Sequence, residues 1–139
     1  MRSSSDEITR TTDLVGPVRI PADNRAPSVA RRAAVQALEE LGVPCLREPV
    51  ELLVSEIVTN SVMHAECHQV QLTLRHADDR LRVETMDCDT DSTPKMADLV
   101  RETPGGFGLH IVDTVAEQWG VSSLPEGKVV WFELAVPDE

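Results

Sequence analysis

Side chains that exchange protons or accept hydrogen bonds recur every four residues in the segment Leu52–Ala65, which reads LLVSEIVTNSVMHA. They are a carboxylate, an amide and an imidazole, carried by Glu56, Asn60 and His64. Because a four-residue step advances only about 40° around a helix, the three side chains share one stripe. A solvated helix face normally mixes Lys with Glu, so this stripe points to a functional site. An accidental spacing on a solvated face explains the segment by itself equally well.

Two further segments can contribute to one site. Asp87 ends a predicted strand, where an acid either caps a turn or accepts a hydrogen bond from the exocyclic amine of a purine. The glycine-rich segment PGGFGLH precedes a predicted helix. Backbone N–H groups at such a helix start attract an anion. A flexible hinge of a lid is an equally good explanation of these glycines.

Hydrophobic periodicity predicts the elements that must position these residues. Next to the polar stripe, Leu53, Ile57, Ser61 and Ala65 form an apolar or small stripe suited to packing on a sheet. In chain order, the predicted elements are a strand at Val15–Ala22, helices at Ala26–Leu41 and Val50–Ala65, a hairpin of strands at Val70–Arg75 and Leu81–Asp87, a helix that follows Gly108 and ends at Trp119–Gly120, and strands at Val121–Leu124 and Val129–Val136.

These elements predict an α/β fold, a two-layer sandwich with a mixed, mostly antiparallel sheet and helices on one face. The prolines of the first strand confine it to a sheet edge. Asn24 is the expected cap of the first helix, and Gly42 its C-terminal stop. Residues 1–13 are predicted to be a flexible tail before a single domain at 14–139, and residues 88–104 a lid or a disordered connector.

The chain is acidic: its 139 residues include 24 Asp and Glu against 13 Lys and Arg, with a formal net charge of −11. Direct DNA or RNA binding needs a basic surface, so a basic or mixed protein partner fits better. No segment reaches the roughly 20 apolar residues of a membrane span. The N-terminus lacks the apolar run of a signal peptide, so we expect a cytoplasmic protein with no membrane partner.

The cysteines are an odd number at wide spacing: Cys45, Cys67 and Cys88. This pattern predicts reduced thiols rather than a disulfide framework. A metal site built from His64, Cys67 and His68 is disfavoured, because no second cluster with ligand spacing occurs elsewhere in the sequence.

Four sequence patterns together resemble the GHKL superfamily of histidine kinase-like ATPases. They are SEIVTNSVMHA on a helix, Asp87 after a strand, GGFGLHIV at a helix start and GKVVWFE in the last strand. The patterns are most similar to those of the RsbW-type anti-sigma factor serine/threonine kinases. The resemblance covers about Val15–Val136 and implies a Bergerat-type sandwich that binds ATP and Mg²⁺.

The resemblance also implies roles for individual residues. Glu56 would act as general base, or orient the Ser or Thr hydroxyl of a protein substrate. Asn60 would bind Mg²⁺, Asp87 would contact the adenine, and His64 would be a neighbour on the phosphate side. The residues implied to surround the phosphates, or to follow them at the helix start, are Gly105, Gly106, Gly108, Leu109 and His110.

Two positions depart from the family pattern. Asp89 stands where the acidic loop normally has a glycine, whose backbone freedom permits close approach to the purine. Val129 stands where the last strand normally has a Thr or Ser that holds a water on the adenine. Few cations lie near the glycines, apart from Lys95 and Arg101. These departures leave open whether ATP binding and kinase activity are retained.

The favoured hypothesis is an anti-sigma factor that is also an ATP-dependent serine/threonine kinase. Such a protein sequesters a sigma factor and phosphorylates a STAS-domain anti-anti-sigma protein, with Arg31 and Arg32 as the expected partner contacts. The alternative is a non-enzymatic binding module with a degenerate nucleotide site. An ATPase of the topoisomerase type is disfavoured, because no transducer domain follows. The sequence leaves monomer and homodimer open.

Overall fold

The computed structural model of the chain describes residues 13–64, 67–88 and 115–137, apart from the side chain of His64. The described elements are β1 (Asp13–Pro21), α1 (Ala26–Glu40), a 3₁₀ turn (Pro44–Leu46), α2 (Arg47–His64), β2 (Gln69–Ala77), β3 (Arg80–Asp87), β4 (Gln118–Leu124) and β5 (Gly127–Ala135). The predictions for residues 1–12, for nearly all of the connector and for the glycine-rich helix start lie outside the described residues.

The five described strands form one sheet in the order β1-β2-β3-β5-β4, and each neighbouring pair is antiparallel. β1 lies at an edge, as its two prolines predict, because a proline has no N–H to donate to a further strand. Between Val15 and Val18 the register with β2 shifts. The predicted β2–β3 hairpin is confirmed, and its turn contains Asp78 at a φ of 56°.

α1 and α2 pack together on one face of the sheet. Small side chains of α1 (Ala30, Ala34 and Ala37) are fully or almost fully buried and allow close approach between the helices. The larger core residues include Leu53, Ile57, Leu72, Leu74, Leu81, Val83 and Phe132, all with no exposed surface. Each such aliphatic or aromatic side chain contributes roughly 1.5–3 kcal/mol when it is fully buried. The predicted two-layer sandwich is therefore confirmed.

The outer face of the sheet is polar. Arg82 donates hydrogen bonds to Glu84 at 2.7 Å and to Glu133 at 3.1 Å. Its guanidinium also lies 4.1 Å from the ring centre of Trp131. Strand alternation thus separates an apolar face covered by helices from a charged outer face.

The helix ends differ in detail from the predictions. The expected cap at Asn24 is wrong: Arg25 occupies the N-cap position, and its backbone N–H donates to Asp23 Oδ1 at 2.9 Å. α2 begins at Arg47 instead of Val50. Pro49 does not prevent this, because a proline in the first turn of a helix lacks only an N–H that has no helical partner. Gly42 follows α1 with a φ of +77°, as predicted.

The prediction that a helix ends at Trp119–Gly120 is wrong. Both residues belong to β4, which runs beside β5. Trp119 packs half-buried against the core. The missing side chain of Gly120 leaves room for the neighbouring Trp131, since a Cβ would lie 2.8 Å from Trp131 Cζ2. Pairing across the sheet therefore outweighs the helical periodicity at this point.

Candidate functional site

The polar stripe of α2 lies at the boundary between the core and the surface. Leu53 and Ile57, on the adjacent stripe, are fully buried, and Glu56 is half-buried. Asn60 is only 6% exposed. The predicted arrangement of Glu56 and Asn60 on a single helix, one turn apart, is confirmed. The backbone of His64 ends α2, and its side chain lies outside the described residues.

The Asn60 side chain is buried, and among the described residues it has no hydrogen-bond partner. Neither its Oδ1 nor its Nδ2 makes a hydrogen bond within the described residues. An unsatisfied buried polar group costs about 1–3 kcal/mol, so folding alone does not account for an amide at this position. A bound cation would satisfy the amide oxygen, and an acceptor atom of a bound ligand would satisfy the N–H donors, because an amide offers an acceptor oxygen and two N–H donors.

At the end of the sheet, Asp87 and Lys128 form a buried ion pair. They are cross-strand neighbours in β3 and β5, and Lys128 Nζ lies 3.8 Å from Asp87 Oδ2. Their side chains are 1% and 3% exposed, respectively. Lys128 is in phase with Val130 and Phe132, which are buried, so strand alternation places its side chain on the face that the helices cover.

The backbones of β3 and β5 meet closely at this ion pair. A Cβ added at Gly127 would lie 1.8 Å from the Asp87 carbonyl oxygen, so only a glycine fits here. One step further into the sheet, the Thr85 hydroxyl donates to the Val130 carbonyl at 3.4 Å. The position of the Asp87 carboxylate is therefore set by the packing of two strands rather than by a loop.

Strand alternation in β5 shows that Lys128, and not Val129, faces the site. Val129, predicted to replace the Thr or Ser near the adenine, lies on the opposite face, where it lines a cavity with Thr73 and Met86. The residue that faces the site is Lys128, which sequence reasoning missed. The signal was present, since the predicted inward series of Val130 and Phe132 extends by one alternation to Lys128.

A disulfide joins Cys67, just before β2, to Cys88, just after Asp87. The prediction of reduced thiols is therefore wrong for these two residues. The prediction rested on the odd number and wide spacing of the cysteines, but the β2–β3 hairpin returns the chain to the same end of the sheet and so brings Cys67 and Cys88 together. Cys45 is an exposed free thiol. The disulfide also removes the Cys67 sulfur from the disfavoured metal site.

Arg31 and Arg32, predicted together as partner contacts, have different surroundings. Arg31 Nη1 donates to Ser55 Oγ at 2.8 Å and so ties α1 to α2. Arg32 is exposed and lines an open groove of about 450 Å³ together with Arg25. Of the two arginines, Arg32 therefore has the exposed side chain, and Arg31 has a structural contact; their role as partner contacts stays a prediction.

The remaining predicted residues of the site, Gly105, Gly106, Gly108, Leu109 and His110, lie outside the described residues, as does Asp89. Within residues 13–64, 67–88 and 115–137, no three His, Cys, Asp or Glu side chains are grouped as metal ligands. No helix among the described residues is long and apolar enough to cross a membrane.

An antiparallel sheet covered on one face by helices, with a buried polar cluster at one end, is the architecture of the GHKL-type sandwich. The chain belongs to the family described as "Histidine kinase-like ATPase domain", which it matches over residues 20–134. ATP is therefore the ligand class that membership implies.

The fold is similar to that in the crystal structure of the RsbU and RsbW domains of Rv1364c from Mycobacterium tuberculosis. The TM-score is 0.61 and the sequence identity 17%, over 88% of this chain and 34% of that chain. At this identity the similarity concerns the fold. The chain thus corresponds to about a third of the length of that protein. No curated protein matches the sequence.

Proposed function

We propose that the chain is an ATP-binding anti-sigma factor and a serine/threonine kinase for a STAS-domain anti-anti-sigma protein, regulating transcription by partner switching. The observation that carries the nucleotide part is the Asn60 amide, which is buried without a hydrogen-bond partner among the described residues. The similarity to a structure that contains an RsbW domain supports the regulatory part, as does the match of SEIVTNSVMHA and GGFGLHIV to the RsbW pattern.

The proposal gives individual residues the following roles. Asn60 would hold Mg²⁺ through its amide oxygen, and Asp87 would accept a hydrogen bond from the base. ATP supplies the transferable phosphoryl group, and Mg²⁺ neutralises the phosphate charge. Glu56, half-buried one turn before Asn60, can be reached by a hydroxyl of a bound protein and would take its proton or orient it. The phosphate-side residues are proposed to be His64, Gly105, Gly106, Gly108, Leu109 and His110.

The proposed partners are a sigma factor and the STAS-domain protein. Arg32 and Arg25 line an open groove at the start of α1 together with Asp23, whose Oδ2 lies 3.7 Å from Arg25 Nη2. The two arginines are local positive charges on a chain with a net charge of −11. An acidic segment of a partner would be attracted to them, whereas the rest of the surface favours basic partners. Arg31 would contribute by holding α1 against α2.

The test is phosphoryl transfer from radiolabelled ATP to a panel of STAS-domain proteins encoded in the same genome. We expect labelling of one Ser or Thr in one STAS protein. Glu56→Gln should abolish the transfer while changing the ATP dissociation constant less than about twofold, since Glu56 serves the hydroxyl and not ATP. Glu48→Gln, an exposed change in the first turn of α2, is the matched control and should remain active. Tight ATP binding without transfer to any STAS protein would overturn the kinase assignment.

A second function is favoured by one observation. Lys128 already forms an ion pair with Asp87, the carboxylate that would contact the base. If this pair excludes the base, the chain is a non-enzymatic module that sequesters its regulator. In that case, a sigma factor from the same genome would bind equally well with and without MgATP, and titration would detect no ATP binding.

A further inference from the structure

The disulfide Cys67–Cys88 adjoins the proposed nucleotide site, and the proposed function gives it no role. Cys88 directly follows Asp87, which is proposed to contact the base, and Cys67 lies two residues before the start of β2. The bond therefore connects the chain next to a proposed nucleotide contact to a neighbouring strand of the sheet. A change at the bond reaches Asp87 through a single peptide link.

Strand pairing differs on the two sides of β3 at the end that carries Asp87. The register between β2 and β3 stops at the pair Gln71–Met86, one residue before Asp87. The register between β3 and β5 continues to Asp87 itself. The disulfide at Cys88 thus adds a covalent tie to β2 beyond the last register pair on that side. Because the ends of paired strands open more easily than their centres, we expect the end of β3 to loosen when this tie is broken.

The disulfide is accessible to a reductant in solution. Cys88 is exposed and borders an open cavity of about 200 Å³ with Gln69 and Glu126, whereas Cys67 is half-buried. The backbone N–H of Cys88 donates to Cys67 Sγ at 2.9 Å. A thiolate that attacks the Cys88 sulfur expels the Cys67 sulfur as a thiolate, and a hydrogen bond from this N–H stabilises the negative charge that develops there. Exposed disulfides are also those that exchange most readily with thiols.

We propose that Cys67 and Cys88 form a reversible redox site that is opened by a dithiol reductant, and that the oxidised chain binds ATP more tightly than the reduced chain. The inference rests on the proposed ATP binding. One thiolate of the dithiol attacks the Cys88 sulfur, forms a mixed disulfide and releases the Cys67 thiolate, which takes up a proton. The second thiolate of the dithiol then attacks the mixed disulfide, releases Cys88 as a thiol and leaves the reductant as a cyclic disulfide. Two electrons and two protons thus pass from the dithiol to the cysteine pair, and the reverse exchange restores the bond.

The proposal predicts a reciprocal coupling between the disulfide and the nucleotide. Binding geometries tolerate displacements of only about 0.5 Å, so a loosened end of β3 weakens the contact of Asp87 with the base. We expect reduction to lower ATP affinity at least about fivefold, the lower end of typical couplings between two sites. Because coupling between two equilibria is reciprocal, saturating MgATP should raise the ratio of dithiothreitol to oxidised dithiothreitol at half-reduction by the same factor.

Calorimetric titration of MgATP into oxidised and reduced protein measures the first effect, and thiol alkylation in dithiothreitol redox buffers, with and without MgATP, measures the second. Both use the variant Cys45→Ser, because the exposed free thiol of Cys45 can exchange with the disulfide. Adding Cys67→Ser and Cys88→Ser should give the ATP affinity of the reduced chain, and dithiothreitol should then have no effect. Leu38→Ala removes a fully buried side chain in the last turn of α1; it is the control for lost stability and should keep the ATP affinity of the oxidised chain.

The outcomes separate this inference from the proposed function. Weaker ATP binding by reduced protein that circular dichroism shows to be folded, together with the matching shift in half-reduction, supports the redox site. Equal or tighter ATP binding by the reduced chain overturns it and leaves ATP binding established. A bond that dithiothreitol does not open in the folded chain, or a chain that unfolds on reduction, also overturns it, because the disulfide is then purely structural. Absence of ATP binding in both redox states overturns the proposed function and this inference together.

Discussion

Gly127→Ala tests whether the start of β5 holds Asp87 in position. The added Cβ would lie 1.8 Å from the Asp87 carbonyl oxygen and 2.9 Å from its carbon. A carbon–oxygen contact normally needs about 3.3 Å, so the two strands must separate by roughly 1.5 Å. The obstacle is backbone, which cannot rotate aside as a side chain can. The substitution should therefore displace the Asp87–Lys128 pair as well as strain the sheet.

The expected loss of stability is that of overpacking, about 1–3 kcal/mol. For a chain of 139 residues, each kcal/mol lowers the melting temperature by roughly 3 °C, so we expect a fall of about 3–9 °C. ATP affinity should also fall by about tenfold or more, because catalytic and binding geometries tolerate displacements of only about 0.5 Å.

Thermal unfolding and calorimetric ATP titration measure both effects. The matched control is Gly120→Ala, where the added Cβ would meet the Trp131 ring at 2.8 Å, a side chain that can move. This control should lower the melting temperature less and leave ATP affinity unchanged. An unchanged melting temperature and affinity in Gly127→Ala would refute the reasoning, as would an equal loss of ATP affinity in Gly120→Ala.

Three further predictions concern the disulfide and the two adjacent arginines of α1. Reducing the disulfide Cys67–Cys88, or substituting both residues by Ser, should lower the free energy of unfolding by about 3 kcal/mol, because the disulfide closes a loop with a sequence separation of 21. Urea denaturation measures this change, and an unchanged midpoint would contradict the prediction. Arg31→Ala should cost about 1 kcal/mol through its lost hydrogen bond to Ser55, whereas Arg32→Ala should change stability by less than about 0.5 kcal/mol. Arg32→Glu should weaken sigma-factor or STAS binding in a pull-down without changing ATP affinity, and equal loss of both would argue against a partner contact.

Much of the fold could be predicted because it depends on local periodicity. The stripe of Leu53 and Ile57 predicts which face of α2 is buried, and the alternation from Leu72 to Leu74 predicts a half-buried strand. The polar residues between β2 and β3 likewise predict the turn of the hairpin, in which Asp78 adopts a positive φ. These signals lie within a few residues of the element that they describe, so a single sequence contains them.

The disulfide, the buried ion pair and the start of β4 could not be predicted, because they depend on which strands become neighbours. The disulfide requires Cys67 and Cys88 to meet at one end of the β2–β3 hairpin. The Asp87–Lys128 pair requires β5 to lie beside β3, which is a long-range choice. Likewise, Trp119 joins a strand because β5 offers an edge to pair with. Sequence reasoning therefore predicted Asn60 and Asp87 as site residues but did not predict that Lys128 pairs with Asp87.

The most direct test of the central claim is a paired measurement on Asn60→Ala: MgATP titration and thermal unfolding of the same protein. Wild type should bind MgATP with micromolar affinity, and the variant should not bind. The melting temperature of the free variant should be equal to or higher than that of wild type, because the lost amide has no hydrogen-bond partner among the described residues and its burial costs about 1–3 kcal/mol. Undiminished ATP binding by a folded variant would contradict the assignment of Asn60 as a ligand-binding residue.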